Sequence, residues 1–376
     1  MTKKIRAIGA AVLTAIWVTL TVFAWLSPAK ETSSAERRPL AQFPELTVDT
    51  LLDAGFMSKF EDYTLDQFPG RDLFRQLKAL VHYNVMQQQD NNGIYFVDDY
   101  AAKLDYPVND EQVTYALGRL QFLYDSYLKP AGSQVYVSVV PDKGYYMAEQ
   151  NGFPAMDYEA LFETVKDKTP WAQYIDITNT LSMEDYYRTD THWKQENLIP
   201  VAQKLSEAMG ATAPKAADFT ARPIDYPFYG VYYGQAALPL KPDQLQVMES
   251  EPLKACKVYT YDDNLKKVEV PMYDQSKLDS GDPYNMYLSG ARVGLVRIEN
   301  PNATTDKELV IFRDSFGSSI GPLLAASYKT VTLIDIREIP SANLKVLARY
   351  VGLDFTGKDV LMLFSTTVLN AGNELK

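Results

Sequence analysis

The tetrad Asp190-Thr191-His192-Trp193 contains one of only two histidines in the 376-residue chain, the other being His82. Imidazole is the side chain that most readily takes up and returns a proton near neutral pH. An aspartate two residues before a histidine can hold one ring nitrogen and leave the other free as a general base. His82 lies among apolar residues in a helical pattern, which favours a partly buried structural histidine. The candidate base is therefore His192, oriented by Asp190.

A candidate nucleophile lies in Arg313-Asp314-Ser315-Phe316-Gly317, which follows the apolar run 309–312. This pattern is typical of a strand that leads into the small-residue start of a helix. Sites in open α/β sheets form at the C-terminal ends of strands, where a helix N-terminus favours developing negative charge. Helix capping by Ser315 would explain the motif without catalysis. Considered together with His192 and Asp190, the motif predicts a Ser-His-Asp triad with Ser315 as the nucleophile.

Further residues near these motifs are candidate substrate contacts: Trp193, Arg188, Arg313, Lys143, Tyr229 and Tyr233. The two arginines could bind an acidic group or form ordinary ion pairs with Asp314 or Asp185. The lysine could approach an acyl or sugar oxygen, or it could be a solvated loop residue. The tyrosines between positions 226 and 233 could stack on sugar rings or pack a β segment onto the core.

The N-terminal stretch 1–30 has the composition of a membrane segment. Lys3, Lys4 and Arg6 precede the uncharged run 7–26, which as a helix is about 30 Å long. Basic residues before such a run place the N-terminus in the cytoplasm. A cleaved signal peptide is the alternative, with Ser27-Pro28-Ala29 as a poor cleavage site. In both cases the rest of the chain is exported, and we predict a single-pass protein of the cell membrane with an extracytoplasmic domain.

The exported part is acidic and poor in cysteine and histidine. The stretch 1–30 carries four of the 37 basic side chains and none of the 48 acidic ones, so the remainder has a formal charge of −15. Such a surface repels phosphates, which argues against a nucleic-acid partner. The lone Cys256 cannot form an internal disulfide. Because no Cys/His cluster is present, we expect no metal site and no cofactor.

The elements that must position these residues follow an α/β pattern. Short apolar runs alternate with helical patterns, which predicts a mostly parallel sheet covered on both faces. The predicted strands beyond position 130 are 135–140, 174–177, 309–312, 331–336 and 360–364, and the predicted helices are 159–165, 194–209, 318–327 and 342–350.

Two other parts of the chain have a different character. Residues 51–85 form a helical pattern that Phe68-Pro69-Gly70 interrupts. Residues 217–300, rich in Tyr, Pro and Gly, predict a β-rich insertion that faces the substrate, as a small lobe or as long loops. We therefore divide the chain into a membrane anchor or signal (1–30), a linker (31–48) and an extracytoplasmic domain (49–376).

The motif 189–193 resembles the Asp-x-His-Trp signature of the DHHW family and of the alginate O-acetylation proteins of the AlgJ/AlgX type. Further blocks are similar to the patterns of the same family: Leu46-Thr47 with Gly55-Phe56, Asp66-Gln67-Phe68-Pro69-Gly70-Arg71-Asp72, Val139-Val140-Pro141-Asp142-Lys143 and Arg313-Asp314-Ser315-Phe316. The resemblance covers roughly residues 36–365. This chain has Thr191 where the DHHW name expects a histidine, and Arg313 where a Gly-Asp-Ser block has glycine.

The resemblance implies an SGNH-hydrolase-like, three-layer α/β/α domain in which the Asp/His pair precedes the serine. It also implies an O-acyltransferase, with acetyl as the expected group, that acts on a cell-surface or exported polysaccharide. The expected partner is a membrane-bound O-acyltransferase (MBOAT) that supplies the acyl group. Ser315 would be the nucleophile, His192 the base and Asp190 the orienting residue. A carbohydrate acyl-esterase and a non-catalytic glycan-binding scaffold of envelope assembly remain as alternatives.

Overall fold

A computed structural model describes residues 3–376 except residues 34, 53, 263 and 291. The chain forms two compact units. The N-terminal unit runs to Asn92 and includes Tyr233–Pro239, and the α/β unit comprises Gly93–Tyr232 and Leu240–Lys376. The division into an anchor or signal (1–30), a linker (31–48) and a domain from residue 49 stays a prediction.

The N-terminal unit is mainly helical. Its elements are α1 (Lys3–Leu26), α2 (Val48–Leu52), α3 (Gly55–Asp66), α4 (Arg71–Asn84) and the short strands β1 (Thr32–Ser33), β2 (Arg38–Pro39) and β3 (Asp90–Asn91). Helix α1 has a mean hydropathy of 2.1 over its most apolar 18 residues, and it is long enough to cross a membrane or to serve as a signal sequence. The predicted break at residues 68–70 is confirmed, because Gly70 adopts a φ of 69° directly before α4.

The α/β unit contains the remaining elements. Its strands are β4 (Ile94–Val97), β5 (Tyr100–Lys103), β6 (Gln134–Val140), β7 (Gln173–Tyr174), β8 (Thr220–Phe228), β9 (Asp243–Glu249), β10 (Lys257–Tyr261), β11 (Lys267–Val270), β12 (Leu295–Glu299), β13 (Glu308–Arg313), β14 (Thr330–Ile334) and β15 (Asp359–Ser365). Its helices are α5 (Asp110–Leu123), α6 (Lys129–Ala131), α7 (Lys143–Met147), α8 (Tyr158–Lys168), α9 (Ile199–Ala208), α10 (Val231–Ala236), α11 (Glu251–Ala255), α12 (Gly317–Ala325), α13 (Leu344–Val351) and α14 (Thr366–Asn370). The last residues of α10 belong to the N-terminal unit.

The central sheet has eight strands in the order β11-β10-β12-β14-β13-β15-β6-β7. The five strands from β14 to β7 pair in parallel, and the other three pair antiparallel. Parallel strands need covering on both faces, and two separate buried apolar clusters lie on the two faces. Along β13, Leu309 and Ile311 belong to one cluster, while Val310 and Phe312 belong to the other. This alternation confirms the predicted three-layer α/β/α architecture with a mostly parallel sheet.

Two element predictions were wrong in their bounds. The helix expected over 194–209 begins at Ile199, because Pro200 has no N–H to donate to the carbonyl four residues earlier and is tolerated only in a first helical turn. The strand expected over 174–177 consists of Gln173–Tyr174, which pairs only with the middle of β6.

Residues 217–300 are rich in strands, but they do not form one separate insertion. Strands β8 and β9 pair with each other in a two-stranded sheet. By contrast, β10, β11 and β12 extend the central sheet on its antiparallel side. The local alternation of apolar residues is the same in both cases, so only the tertiary pairing separates them.

Candidate active site

The C-terminal ends of the parallel strands carry the serine. Strand β13 ends at Arg313, so that Asp314 and Ser315 form the turn before α12. Its neighbour β15 ends at Ser365 at the same edge of the sheet. Ser315 is partly exposed, whereas the residues on either side of it are buried. A hydroxyl at this position can be reached from solvent while its backbone is held by the sheet.

The histidine lies on a tight loop between Tyr186 and Trp193, which form a β-bridge. Asp243, the first residue of β9, holds one side of this loop. Its carboxylate accepts hydrogen bonds from the N–H groups of Arg188 (2.9 Å) and Thr189 (2.7 Å) and from the Thr189 hydroxyl (2.7 Å). The loop is therefore ordered by polar contacts to a strand from the 217–300 region.

Ser315, His192 and Asp190 lie in one hydrogen-bonded line. The Ser315 Oγ is 2.7 Å from His192 Nε2, and His192 Nδ1 is 2.6 Å from Asp190 Oδ1. With the Nδ1 proton donated to the carboxylate, Nε2 is free to accept the proton of the serine hydroxyl. The imidazole is 7% exposed and the Asp190 side chain is fully buried. These distances are those at which a hydroxyl, a base and an orienting carboxylate can act together.

Backbone donors complete the environment of Asp190. Its Oδ1 also accepts from the His192 N–H at 3.1 Å, and its Oδ2 accepts from the Val231 N–H at 2.8 Å. A buried carboxylate needs such donors to remain charged. Gly230 allows this contact, because a Cβ at this position would overlap with Asp190 Cβ and with the Thr189 carbonyl oxygen.

The serine turn is braced by Asp314. Its carboxylate accepts hydrogen bonds from the N–H of Phe316 (3.0 Å) and from the N–H of Ser365 (2.7 Å). The N–H of Gly317 donates to the Asp314 carbonyl, and that of Ser318 donates to the Ser315 carbonyl. Within the described part of the chain, the Ser315 N–H has no hydrogen-bond acceptor. This amide is therefore available to stabilise an oxyanion at the start of α12.

Aromatic rings fix the plane of the imidazole. The ring of Tyr284 stacks on His192 with centroids 3.8 Å apart and planes 8° apart, and Phe316 lies 5.0 Å away on a tilted plane. The Ser319 hydroxyl accepts from both the Tyr284 hydroxyl and Trp193 Nε1 at 2.8 Å. Ser319 thus connects the histidine loop, the stacking tyrosine and helix α12.

Three of the expected substrate contacts are buried. Trp193 is fully buried, and its indole N–H donates to Ser319 and to the Phe316 carbonyl, so it joins the two motifs and does not face a substrate. Arg313 is also fully buried, with its guanidinium donating to the carbonyl of Val293 and lying 3.7 Å from Asp335. Arg313 is inside because it is the last residue of β13, a central strand whose two faces are both covered.

Lys143 is the third buried residue. Its Nζ donates to the carbonyls of Tyr187 (2.9 Å) and Arg188 (3.3 Å), at the start of the histidine loop. It also lies 4.9 Å above the ring of Tyr232. Burial lowers the pKa of Lys143 to about 7, although the negative charge of Asp190 acts in the opposite direction. Lys143 therefore holds the start of the histidine loop through hydrogen bonds to its backbone. Its buried position fits neither of the two expectations, a substrate contact or a solvated loop residue.

The other three expected contacts lie at different places. Arg188 is exposed, with its guanidinium 5.6 Å from the ring centre of Tyr100. Tyr229 is exposed and follows β8. Tyr233 belongs to the N-terminal unit, whereas the triad residues belong to the α/β unit. A substrate role for Arg188, Tyr229 or Tyr233 stays a prediction.

Four residues that position the site were not selected from the sequence. Asp314 lies inside the motif 313–317. An aspartate directly before a serine at the end of a strand could have been predicted to hold the turn, because its carboxylate can accept hydrogen bonds from nearby backbone N–H groups. Asp243, Tyr284 and Ser319 carried no such signal, since each acts on a loop far away in sequence. Among the described residues, no group of three or more His, Cys, Asp or Glu side chains is arranged to hold a metal ion.

No protein-family model matches this sequence, and no curated protein sequence matches it. Solved structures do match the fold. A DHHW family protein from Eubacterium siraeum is 20% identical, with a TM-score of 0.58, and the match covers 76% of this chain and 94% of that chain. Bacillus cereus PatB1 with a sulfonyl adduct is 18% identical, with the same TM-score, over 73% of this chain and 95% of that chain. This chain has the DHHW-type fold.

These matches confirm the expected fold by structure rather than by sequence. In this chain, the Asp190/His192 pair precedes Ser315 by more than a hundred positions, and the fold brings the two motifs together. The O-acetyltransferase domain of Pseudomonas putida AlgJ matches more distantly, with a TM-score of 0.44, 15% identity and coverage of 74% of this chain and 92% of that chain.

Proposed function

We propose that this protein is an extracytoplasmic O-acyltransferase, with acetyl as the expected group, that modifies a cell-surface or exported polysaccharide through an acyl-serine intermediate. The observation that carries the proposal is the line from Ser315 Oγ through the imidazole of His192 to the carboxylate of Asp190. The match of the motif blocks to the DHHW and alginate O-acetylation patterns supports the choice of reaction and substrate class.

The first half-reaction forms the acyl-enzyme. Ser315 Oγ attacks the acyl carbon of the donor while its proton passes to His192 Nε2, and Asp190 stabilises the resulting imidazolium. The negative charge on the acyl oxygen faces the free N–H of Ser315. The tetrahedral intermediate then collapses, the bond to the donor breaks, and the leaving group takes the proton from His192.

The second half-reaction transfers the acyl group. A sugar hydroxyl attacks the acyl-serine, His192 accepts its proton, and collapse returns that proton to Ser315 Oγ. Water in place of the sugar would give an esterase by the same steps. Transfer therefore requires an acceptor hydroxyl that is bound closely enough to outcompete water. We assign acyl supply to a membrane-bound O-acyltransferase partner, and anchoring in the cell membrane to α1 with its N-terminus in the cytoplasm.

The nucleophile is tested with an aromatic acetyl ester and a sulfonyl fluoride. The wild-type protein should hydrolyse the ester and should gain one sulfonyl group on Ser315, located by peptide mass spectrometry. Ser315→Ala should lose several orders of magnitude in kcat/KM and should not be labelled. Ser280→Ala, at an exposed serine outside the site, should behave as wild type.

The same proteins distinguish the competing functions. If wild type and Ser315→Ala are equally inert and unlabelled while both bind a glycan, the scaffold function is correct and the proposed chemistry is wrong. If the wild type reacts, acyl transfer to oligosaccharide acceptors is followed by mass spectrometry with an activated acetyl ester as donor. Acetylated sugar as the main product supports the transferase, and free acetate alone identifies an esterase.

A further inference from the structure

Exposed apolar side chains are concentrated in the part of the chain that follows α1. Among the described residues, thirteen large apolar side chains between positions 43 and 86 are exposed, compared with seven between positions 87 and 376. Isolated exposed apolar residues are ordinary on any protein, whereas a dense group of them marks a surface that is covered by something else.

Helix α4 shows most directly that apolar side chains face outward in this part of the chain. Ala79 is fully buried and Arg75, Gln76 and Tyr83 are half-buried, so they define the inward side of the helix. The outward side is mainly apolar, with the exposed Lys78 at its edge. Its apolar residues follow helical spacing: Leu73, Leu77, Leu80 and Val81, with Phe74 and Val85 beside them. A helix on the surface of a soluble domain has the opposite arrangement, with polar residues outward.

The same unit ties these helices to α1. Phe43 contacts Trp25 of α1, with ring centroids 6.5 Å apart, and also contacts Phe60 and Tyr63 of α3 at 5.9 and 5.3 Å. A cavity of about 270 Å³ is lined by α1 between Trp17 and Trp25 and by α3 between Phe60 and Thr64. Trp17 and Trp25 are eight positions apart, or about 12 Å along the helix axis. Helix α3 therefore packs beside the C-terminal part of α1, next to the end of the apolar run.

We propose that α3 and α4 lie in the interfacial layer of the phospholipid bilayer that α1 crosses, with the apolar side of α4 in contact with lipid. The contact of α3 with α1 argues for lipid as the occupant, because a membrane-spanning α1 carries α3 to the depth of the interface. Amphipathic helices bind there by burying their apolar side at the boundary between head groups and acyl chains. The aromatic cluster around Trp25 and Tyr63 is also typical of that depth.

The experiment uses the full-length chain with Cys256→Ser, reconstituted in vesicles of phosphatidylethanolamine and phosphatidylglycerol. Single cysteines at Leu73, Leu77 and Leu80 are labelled with a fluorophore, and quenching by brominated lipid is compared with quenching by iodide. Asp72→Cys is the matched control, because Asp72 is exposed on the same helix but away from the apolar side. Ile16→Cys, within α1, reports whether α1 is inserted.

The proposal expects the labels at Leu73, Leu77 and Leu80 to be quenched severalfold more by brominated lipid than the label at Asp72, with the reverse order for iodide. Efficient iodide quenching at all four positions, with the Ile16 label quenched by lipid, would overturn it. Protection of the three apolar positions from both quenchers would also overturn it, because a protein surface would then cover α4. If brominated lipid does not quench the label at Ile16, α1 itself is not inserted in the bilayer. That result would also overturn the proposal, because α3 and α4 would then not be held at the membrane.

Discussion

Asp190 is the residue on which the orientation of the imidazole depends. Its two oxygens accept from His192 Nδ1, from the His192 N–H and from the Val231 N–H, and the side chain has no exposure to water. An isosteric amide keeps the shape but presents an NH2 group toward at least one of these donors. The ring would then be held with the wrong nitrogen protonated.

We therefore expect Asp190→Asn to fold and to lose about three to four orders of magnitude in kcat/KM for an acetyl ester, as expected when a triad loses its orienting carboxylate. The measurement is steady-state hydrolysis beside a near-ultraviolet circular dichroism spectrum. Activity within about tenfold of wild type would show that His192 does not depend on this carboxylate.

Lys143 supplies a second test at the residue scale. Its ammonium group lies behind the histidine loop, with two carbonyl acceptors and the negative charges of Asp190 and Asp243 nearby. Because burial is the largest effect and lowers its pKa to about 7, the folded protein gives up this proton at a pH where the unfolded chain, with a pKa of 10.5, still binds it.

Above about pH 7 the unfolded state therefore binds more protons than the folded state, and folding stability should rise with pH until the unfolded lysine titrates. The rise is at most about 1.4 kcal/mol per pH unit. We expect Lys143→Met to lack this rise, whereas Lys168→Met, at the exposed end of α8, should retain it. Urea unfolding at about pH 8 and about pH 9 measures the difference, and parallel profiles for wild type and Lys143→Met would contradict it.

At the scale of elements, the site depends on the close approach of two loops. The loop between β8 and α10 lies directly against the histidine loop, and Gly230 is the point of contact. Any side chain there meets backbone atoms of Thr189 and Asp190, which cannot move without displacing His192.

Gly230→Ala should therefore cost about 1–3 kcal/mol of stability, as overpacking does, and should lower kcat/KM because the Val231 N–H is pushed away from Asp190. Gly118→Ala is the matched control. A Cβ at Gly118 has open space in the middle of α5, so alanine should stabilise the protein slightly through its better helix propensity. Thermal unfolding and ester hydrolysis of both variants check the prediction, which fails if the two variants behave alike.

At the scale of the whole molecule, the formal charge of −15 on the chain beyond position 30 should weaken the binding of anionic acceptors. A net negative field repels anionic polymers over roughly a Debye length, which is about 30 Å at 0.01 M salt and about 8 Å at 0.15 M. As salt is raised from about 0.01 M to about 0.15 M, KM should fall for an anionic oligosaccharide acceptor and stay constant for a neutral one. Steady-state transfer kinetics with a matched pair of acceptors measure this, and a KM for the anionic acceptor that rises with salt would indicate a local basic binding site instead.

Some features of the molecule follow from local sequence. The runs that form β6, β13 and β15 are short, uniformly apolar and bounded by turn residues. Such runs can be predicted as buried strands from the sequence, because strand formation depends on nearby residues. The scarcity of histidine singled out His192, and its neighbour Asp190 lies only two positions away. The positions of Pro200 and Gly70 determine where two helices begin, because each residue restricts the backbone locally.

The sequence by itself determined the fold class and the three residues with the right chemistry, because both are encoded in short windows. Only the tertiary structure decided that Ser315 Oγ and His192 Nε2, from motifs 123 positions apart, lie 2.7 Å from each other, since strand order sets that distance. It also decided that Trp193, Arg313 and Lys143 are buried and that Tyr284 covers the imidazole. Burial depends on every segment that packs against a residue, and those segments come from distant parts of the chain.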